Sequence, residues 1–138
     1  DRAFCSIDWV PTICGLTGAP LPEHDIDGKD VWPLIRGDKN AENPHEYYAF
    51  STGNRFESVI SGDGKWKLHL PHQYRTLVTP GRDGEAGAYK QEWIEMSLFD
   101  MENDPYETTN LIQEHPEVAA RLQALAEQHK QQFYADEN

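Results

Sequence analysis

Two short period-two runs set around a glycine turn constrain this chain most. Phe56 to Ser61 and Lys65 to Leu70 flank Gly62-Asp63-Gly64. Asp-Gly at the centre of such a connection favours a tight hairpin, because both residues tolerate positive backbone φ. In the second arm Trp66, Leu68 and Leu70 alternate with polar neighbours, so these three share one face. An apolar sheet face must be covered. The cover is legible near the C-terminus, where Pro116 suits a first helical position. Val118, Leu122, Leu125, Ala126 and Phe133 then recur at helical spacing. The expected class is α+β, a small antiparallel sheet with a packed C-terminal helix.

Other segments extend this plan. Residues 1–6 are short and mixed and suit the end of a strand. Residues 8–17 read as a helix, with Asp8 as N-cap, Pro11 in the first turn and Gly18 as the stop. Residues 18–46 are mostly loop, rich in Gly, Pro and charge, with one apolar turn at Val31–Ile35. A loop of that length runs over another surface when ordered. Tyr47 to Ser51 reads as a further strand. Residues 71–91 read as a Gly-rich polar connection, and a last strand is expected from about Trp93 to Asp100. Asn103-Asp104-Pro105 then makes a turn, with Glu107 and Asn110 placed to hydrogen-bond freed loop backbone.

Charge narrows the partners. The chain of 138 residues carries a net charge of −12, and nine acids face two bases from Asp100 onward. Such a surface repels nucleic-acid phosphates and anionic lipid. A local cationic pocket can still accept an anion. No run approaches the ~18 apolar residues of a membrane span. Cys5 and Cys14 make no disulfide framework, and a single bridge is neither required nor excluded. The chain opens at Asp1 with no initiating Met and no signal peptide, which reads as upstream sequence removed.

Several constellations invite a site. Asp25, Asp27 and Asp30 cluster, as do Asp100, Glu102 and Asp104, yet neither has the glycine at the sixth position of a calcium loop. His69 and His72 have a spacing that can serve zinc, but no further ligands accompany them. Trp9, Trp32, Trp66 and Trp93 lie on separate elements, which favours packing over a sugar platform.

Four segments together resemble the type I sulfatases of the alkaline phosphatase superfamily, in their arylsulfatase-A-like branch. Leu98-Phe99-Asp100 leading to Asp104-Pro105-Tyr106-Glu107 and Asn110-Leu111 resembles the family's C-terminal signature. Asp8-Trp9-Val10-Pro11-Thr12 with Gly18, Asp27-Gly28-Lys29-Asp30 with Pro33-Leu34, and Gly64-Lys65-Trp66-Lys67-Leu68 resemble three further family motifs in the same order. The resemblance implies that residues 1–44 are the tail of a larger α/β catalytic domain. Residues 45–138 would be the C-terminal subdomain, whose sheet in the family is four-stranded and antiparallel. It also implies a sulfuric ester hydrolase as parent, in the periplasm or secreted. Calcium and a formylglycine made within Cys/Ser-x-Pro-x-Arg are then expected upstream, in an absent N-terminal catalytic domain. Cys5 and Cys14 lack that context, so the chain alone is expected to be inactive, with no catalytic or metal residue. In the family the loop after the Lys65–Leu70 strand approaches the substrate pocket. His69, His72, Tyr74 and Arg75 are therefore the expected contacts to a small-molecule or glycan sulfate ester, with Arg75 suited to a sulfate fork-to-fork. A fragment of this kind would leave the apolar residues of 4–16 exposed, satisfied by the catalytic domain or by self-association. Two alternatives stand: a stand-alone binding module for sulfated or acidic glycans, and part of a related phosphate or phosphonate ester hydrolase.

Overall fold

The computed structural model describes residues 3–134. A 3-10 turn at Ser6–Asp8 leads into α1 (Trp9–Thr17), and a one-turn helix α2 (Trp32–Ile35) follows. Then come β1 (Tyr47–Thr52), β2 (Arg55–Ser61), β3 (Trp66–His69), β4 (His72–Thr79), β5 (Ala88–Ile94), β6 (Ser97–Asp100) and α3 (Pro116–Phe133). The main sheet is four-stranded in the order β1-β2-β3-β6, with antiparallel neighbours, and β4 and β5 form a separate two-stranded ribbon. The class is α+β, as expected. The expected strand at the N-terminus is not formed over residues 3–5, and residues 1–2 lie outside those described.

The hairpin between β2 and β3 forms where the glycines stand. Gly64 takes a φ of 79°. Asp63 ties the turn, its Oδ1 accepting from Ser61 Oγ at 2.5 Å and from Lys65 N at 3.0 Å. Register then decides the two faces. Val59 pairs with Leu68, which pairs with Leu98, so one face is aliphatic from strand to strand. It packs against Ala119, Leu122, Leu125 and Ala126 of α3, and Trp66 and Leu70 adjoin this core. Leu68 and Leu122 are fully buried there, so burying each contributes about 1.5–3 kcal/mol. Phe133 departs from the expected stripe and is exposed. The last turn of the stripe is held by His129, which meets Tyr47 edge-on at 5.7 Å and lies 4.9 Å from the ring of Phe56.

Two expectations are corrected. Residues 71–91 are not a connection. They contain β4 and most of β5, joined by a turn in which Asp83 and Gly84 have φ values of 53° and 85°. Two successive positive φ values define the type I′ hairpin, and Asp-Gly is a sequence that accepts it. The single strand expected at 93–100 is consequently two, β5 and β6, belonging to different sheets.

Asp8 precedes α1, but its side chain does not cap that helix. Gly18 ends α1 in the left-handed region, as expected. Two glycines are fixed by close approach. A Cβ on Gly28 would stand 1.9 Å from the carbonyl oxygen of Ile7, and one on Gly62 would stand 1.9 Å from that of His45. Cys5 and Cys14 are free thiols. No helix among the described residues is long and apolar enough to cross a membrane.

Replacing Leu68 with Ala removes a side chain from the centre of the helix–sheet interface. We expect a loss of about 2–5 kcal/mol, read from urea unfolding followed by far-UV circular dichroism. A change under about 1 kcal/mol would contradict this packing.

Candidate functional site

The second face of the main sheet carries the polar chemistry. Tyr48, Ser58, Lys67, His69 and Ser97 alternate with the aliphatic positions and point away from α3. Most antiparallel sheets of this size leave such a face to solvent. Here it is covered at two places, and at each a carboxylate organises the contact.

At one end Asp8, 1% exposed, joins the N-terminal segment to the sheet. Its Oδ1 lies 2.6 Å from His45 Nε2 and accepts from Lys29 N at 3.0 Å. Its Oδ2 accepts from Cys5 N and from the Tyr48 hydroxyl, both at 3.0 Å. Burial pushes the carboxyl upward, but these four donors outweigh burial and hold it below its ordinary value. Tyr48 is pushed up to about 12, by burial first and then by the adjacent Asp8. Asn43 completes the joint, donating to the carbonyls of Ala3 and Gly62 at 2.7 Å each.

At the other end the turn after β6 delivers Glu107. Asp104 shapes that turn, its Oδ2 accepting from Thr108 N at 2.7 Å and Thr109 N at 2.8 Å. Asn110 Oδ1 accepts from Leu98 N and Ile112 N, as expected for a loop tied to its own strand. Glu107 does something different from the expected backbone bonding. Held at a φ of 55°, it turns its side chain across the sheet. Lys67 Nζ donates to Oε1 at 2.5 Å, and the Tyr74 hydroxyl donates to Oε2. His69 Nε2 lies 3.2 Å from Oε2, within charge range but off the hydrogen-bond axis. Neither ring nitrogen of His69 has a hydrogen-bond partner among the described residues. Burial alone would raise the Glu107 carboxyl. His69, Lys67 and Tyr74 together reverse that and bring it down to about 2. Tyr74 is raised by its own burial and by Glu107.

The four residues expected to contact substrate are thereby divided. His69 and His72 are 3% and 2% exposed, with rings stacked at 5.3 Å. His72 Nδ1 lies 2.6 Å from the carbonyl oxygen of Leu70, and its Nε2 lies 3.7 Å from Glu57 Oε2. Tyr74 sits edge-on to His69 and reaches Glu107. Arg75, one residue on, is exposed on the opposite face of the ribbon, its guanidinium 3.9 Å from the centre of the Tyr89 ring. Lys67 and Glu107 join this group without a sequence signal of their own. The alternation Lys65-Trp66-Lys67-Leu68 signals only that Lys67 leaves the aliphatic face, and nothing local links it to Glu107, 40 residues away.

No group of three His, Cys, Asp or Glu converges as a metal site among the described residues. The second acidic cluster, Asp100 to Asp104, is engaged in its own turn. Asp100 accepts from Glu102 N at 3.0 Å and from Asn103 Nδ2 at 2.9 Å, and Asp104 holds the turn above. Asp100 and Asp104 are thus committed to tying their own loop.

Comparison with known proteins bears on this arrangement. No family model matches the chain. It is 30% identical over 112 residues to human arylsulfatase A, an alignment covering 78% of this chain and 22% of the relative. It is 29% identical over 126 residues to a delta 4,5-hexuronate-2-O-sulfatase of Bacteroides thetaiotaomicron, covering 87% of this chain and 22% of the relative. These likenesses, which run over most of the chain, support a sulfatase C-terminal portion. A solved structure described under the metabolism of multiple glycosaminoglycans by Bacteroides thetaiotaomicron superposes with a TM-score of 0.56 at 24% identity. It covers 86% of this chain and 23% of that one, a likeness that speaks to the fold alone. The chain spans less than a quarter of the length of the curated relatives named here.

Changing Glu107 to Gln keeps the side chain's shape but leaves Lys67 without its counter-charge. We expect a loss of about 2–4 kcal/mol in urea unfolding at neutral pH. The pH dependence has a definite sign. The folded-state value of Glu107 lies below the ordinary 4.5, so its stabilisation is complete above 4.5 and fades as pH falls towards 2. The Gln variant should lose that part of the acid sensitivity, and parallel stability–pH curves for the two proteins between pH 5 and about 2 would refute the assignment.

Proposed function

We propose that this chain is the C-terminal part of an enzyme that hydrolyses sulfate esters, and that it acts by completing and framing a catalytic domain. The observation that carries this is a row of exposed apolar side chains on one short segment. Phe4, Ile7, Trp9, Val10, Ile13 and Leu16 all face outward, while Asp8, Pro11 and Thr12 between them are buried against the rest of the chain. An apolar surface of this kind on a firmly anchored segment favours a packing partner. The sulfatase likeness of most of the chain supports a larger catalytic domain as that partner.

In this reading the formylglycine nucleophile and the calcium ion belong to that domain, and a periplasmic or secreted address belongs to the whole protein. The 138 residues contribute position. Glu107 ties the turn after β6 to β3 and β4, so the ribbon leaves the sheet in a fixed direction. His69, His72 and Tyr74 then serve as the ribbon's footing, and Arg75 as the group offered to a sulfated ligand.

The test compares two proteins. The full-length enzyme should release sulfate from an aryl or sugar sulfate, and the 138-residue chain should release none. Sulfate release by the purified chain would overturn the division of labour, and a full-length preference for phosphate esters would overturn the reaction class. The packing claim has its own check. Ile13→Asp lies on an exposed position, so it should leave the melting temperature of the 138-residue chain within about 2 °C while sharply lowering the soluble yield of the full-length protein.

A further inference from the structure

The sequence holds three Asp-Gly dipeptides, at Asp27-Gly28, Asp63-Gly64 and Asp83-Gly84. Each sets a carboxyl beside a main-chain nitrogen whose own residue has no side chain to crowd it. Such a pair can close a five-membered ring, in which the glycine nitrogen attacks the aspartate carboxyl carbon. Closure needs a carboxyl that can leave its partners, an N–H that no acceptor holds, and room for the main chain to swing. The fold withholds these conditions from two of the three.

At Asp63 both reacting groups are taken. Its Oδ1 accepts from Ser61 Oγ and Lys65 N, and Gly64 N donates to the carbonyl of Ser61 at 2.7 Å. At Asp27 the glycine is pinned. Gly28 lies against the carbonyl of Ile7, and the next amide, Lys29 N, is held by buried Asp8 at 3.0 Å. At Asp83 none of these restraints is present. Its carboxylate pairs with Arg82 at 3.0 Å, and the two side chains are 84% and 89% exposed. A pair so open to water holds its members weakly. No acceptor among the described residues takes Gly84 N, because the turn is closed by Arg82 and Glu85 on either side. The space a Cβ of Gly84 would fill is clear to 4 Å, and residues 80–86 are all exposed. Asp83 itself has a φ of 53°, a region that L-residues adopt at a cost and that opening of the turn relieves.

We propose that Asp83 is a site of spontaneous modification, converting to isoaspartate in the folded protein while Asp27 and Asp63 stay intact. Gly84 N bonds to Asp83 Cγ. One carboxyl oxygen leaves as water, carrying the amide proton and the carboxyl proton, and a cyclic imide remains. Water then adds to either ring carbonyl. Breaking the bond from N to Cγ restores aspartate, and breaking the bond from N to the main-chain carbonyl carbon of Asp83 gives isoaspartate. Overall mass is unchanged, and water is the only co-reactant. The product runs its main chain through Cγ, so one extra carbon enters a two-residue turn. A type I′ turn has no place for it. The pairing of Arg82 with Glu85 opens, and the tip of the ribbon loses its register while its footing at Glu107 stays.

The experiment incubates the folded 138-residue chain at neutral pH, beside the same chain in urea. Cleavage after lysine puts the three dipeptides on separate pieces, residues 1–29, 40–65 and 68–90. Isoaspartate is read on each as a new chromatographic peak of unchanged mass. In the folded chain it should gather on 68–90 several-fold faster than on the other two. In urea the three pieces should react at similar rates, since local protection by the fold is what separates them. Asp83→Glu, whose longer side chain disfavours the ring, should silence 68–90. Asp83→Asn should speed its reaction, read as a gain in mass when the amide becomes an acid. Equal rates on all three pieces of the folded chain overturn the proposal. So does isoaspartate on 68–90 that forms in urea alone, which would show that the closed turn shields Asp83 as well. Undiminished reaction on 68–90 in the Glu variant overturns it too.

Discussion

One carboxylate governs the geometry of the molecule's polar side. Glu107 sits in a left-handed turn, accepts a lysine from β3 and a tyrosine from β4, and faces a buried histidine. Those partners come from two strands, and the turn that carries Glu107 is a third stretch of chain. A buried carboxylate is costly unless its neighbours supply charge and hydrogen bonds, so the three stretches must meet for any of them to be satisfied. The left-handed backbone at Glu107 costs about 1–3 kcal/mol, an outlay sustained only where the surroundings demand it. Asp8 repeats the logic at the opposite end of the sheet, with backbone donors taking the place of lysine. The aliphatic face under α3 supplies most of the stability, and the two carboxylates decide how the remaining segments are arranged over it.

Much of this was legible in the residue order, and the reasons differ by element. The β2–β3 hairpin and α3 announce themselves through period and punctuation, because Val59, Leu68, Leu98 and Leu122 are placed by one-sided burial. The ribbon was hidden. Its strands are rich in polar residues, and Gly81, Gly84 and Gly87 make the stretch read as loop. The signal present was Asp83-Gly84, the same dipeptide that marks the turn between β2 and β3. With it, the alternation of Tyr89, Gln91 and Trp93 becomes a strand pattern. Asp8 does stand at the N-cap position of α1, but its side chain is spent elsewhere. A short acid before a helix is a good cap on local grounds, and only the fold reveals the four donors that claim it.

The candidate site shows where residue order stops being informative. His69, His72, Tyr74 and Arg75 fall within seven consecutive positions, and their nearness in sequence suggests a shared role. Strand alternation and one tight bend divide them between a packed interior and an open face. Lys67 and Glu107, which complete the interior group, lie 40 residues apart and have no local pattern in common. The division of labour among these side chains came from register and burial.

The close approach at Gly28 and Gly62 has a mechanical consequence. At both places one main chain lies directly against another, with no side chain between to yield. Together with Asn43, which bridges Ala3 to Gly62, these contacts act as a weld between the first helix and the sheet. A push on α1 would therefore travel into the strands as a rigid displacement, and the ribbon, rooted in those strands through Glu107, would swing with it.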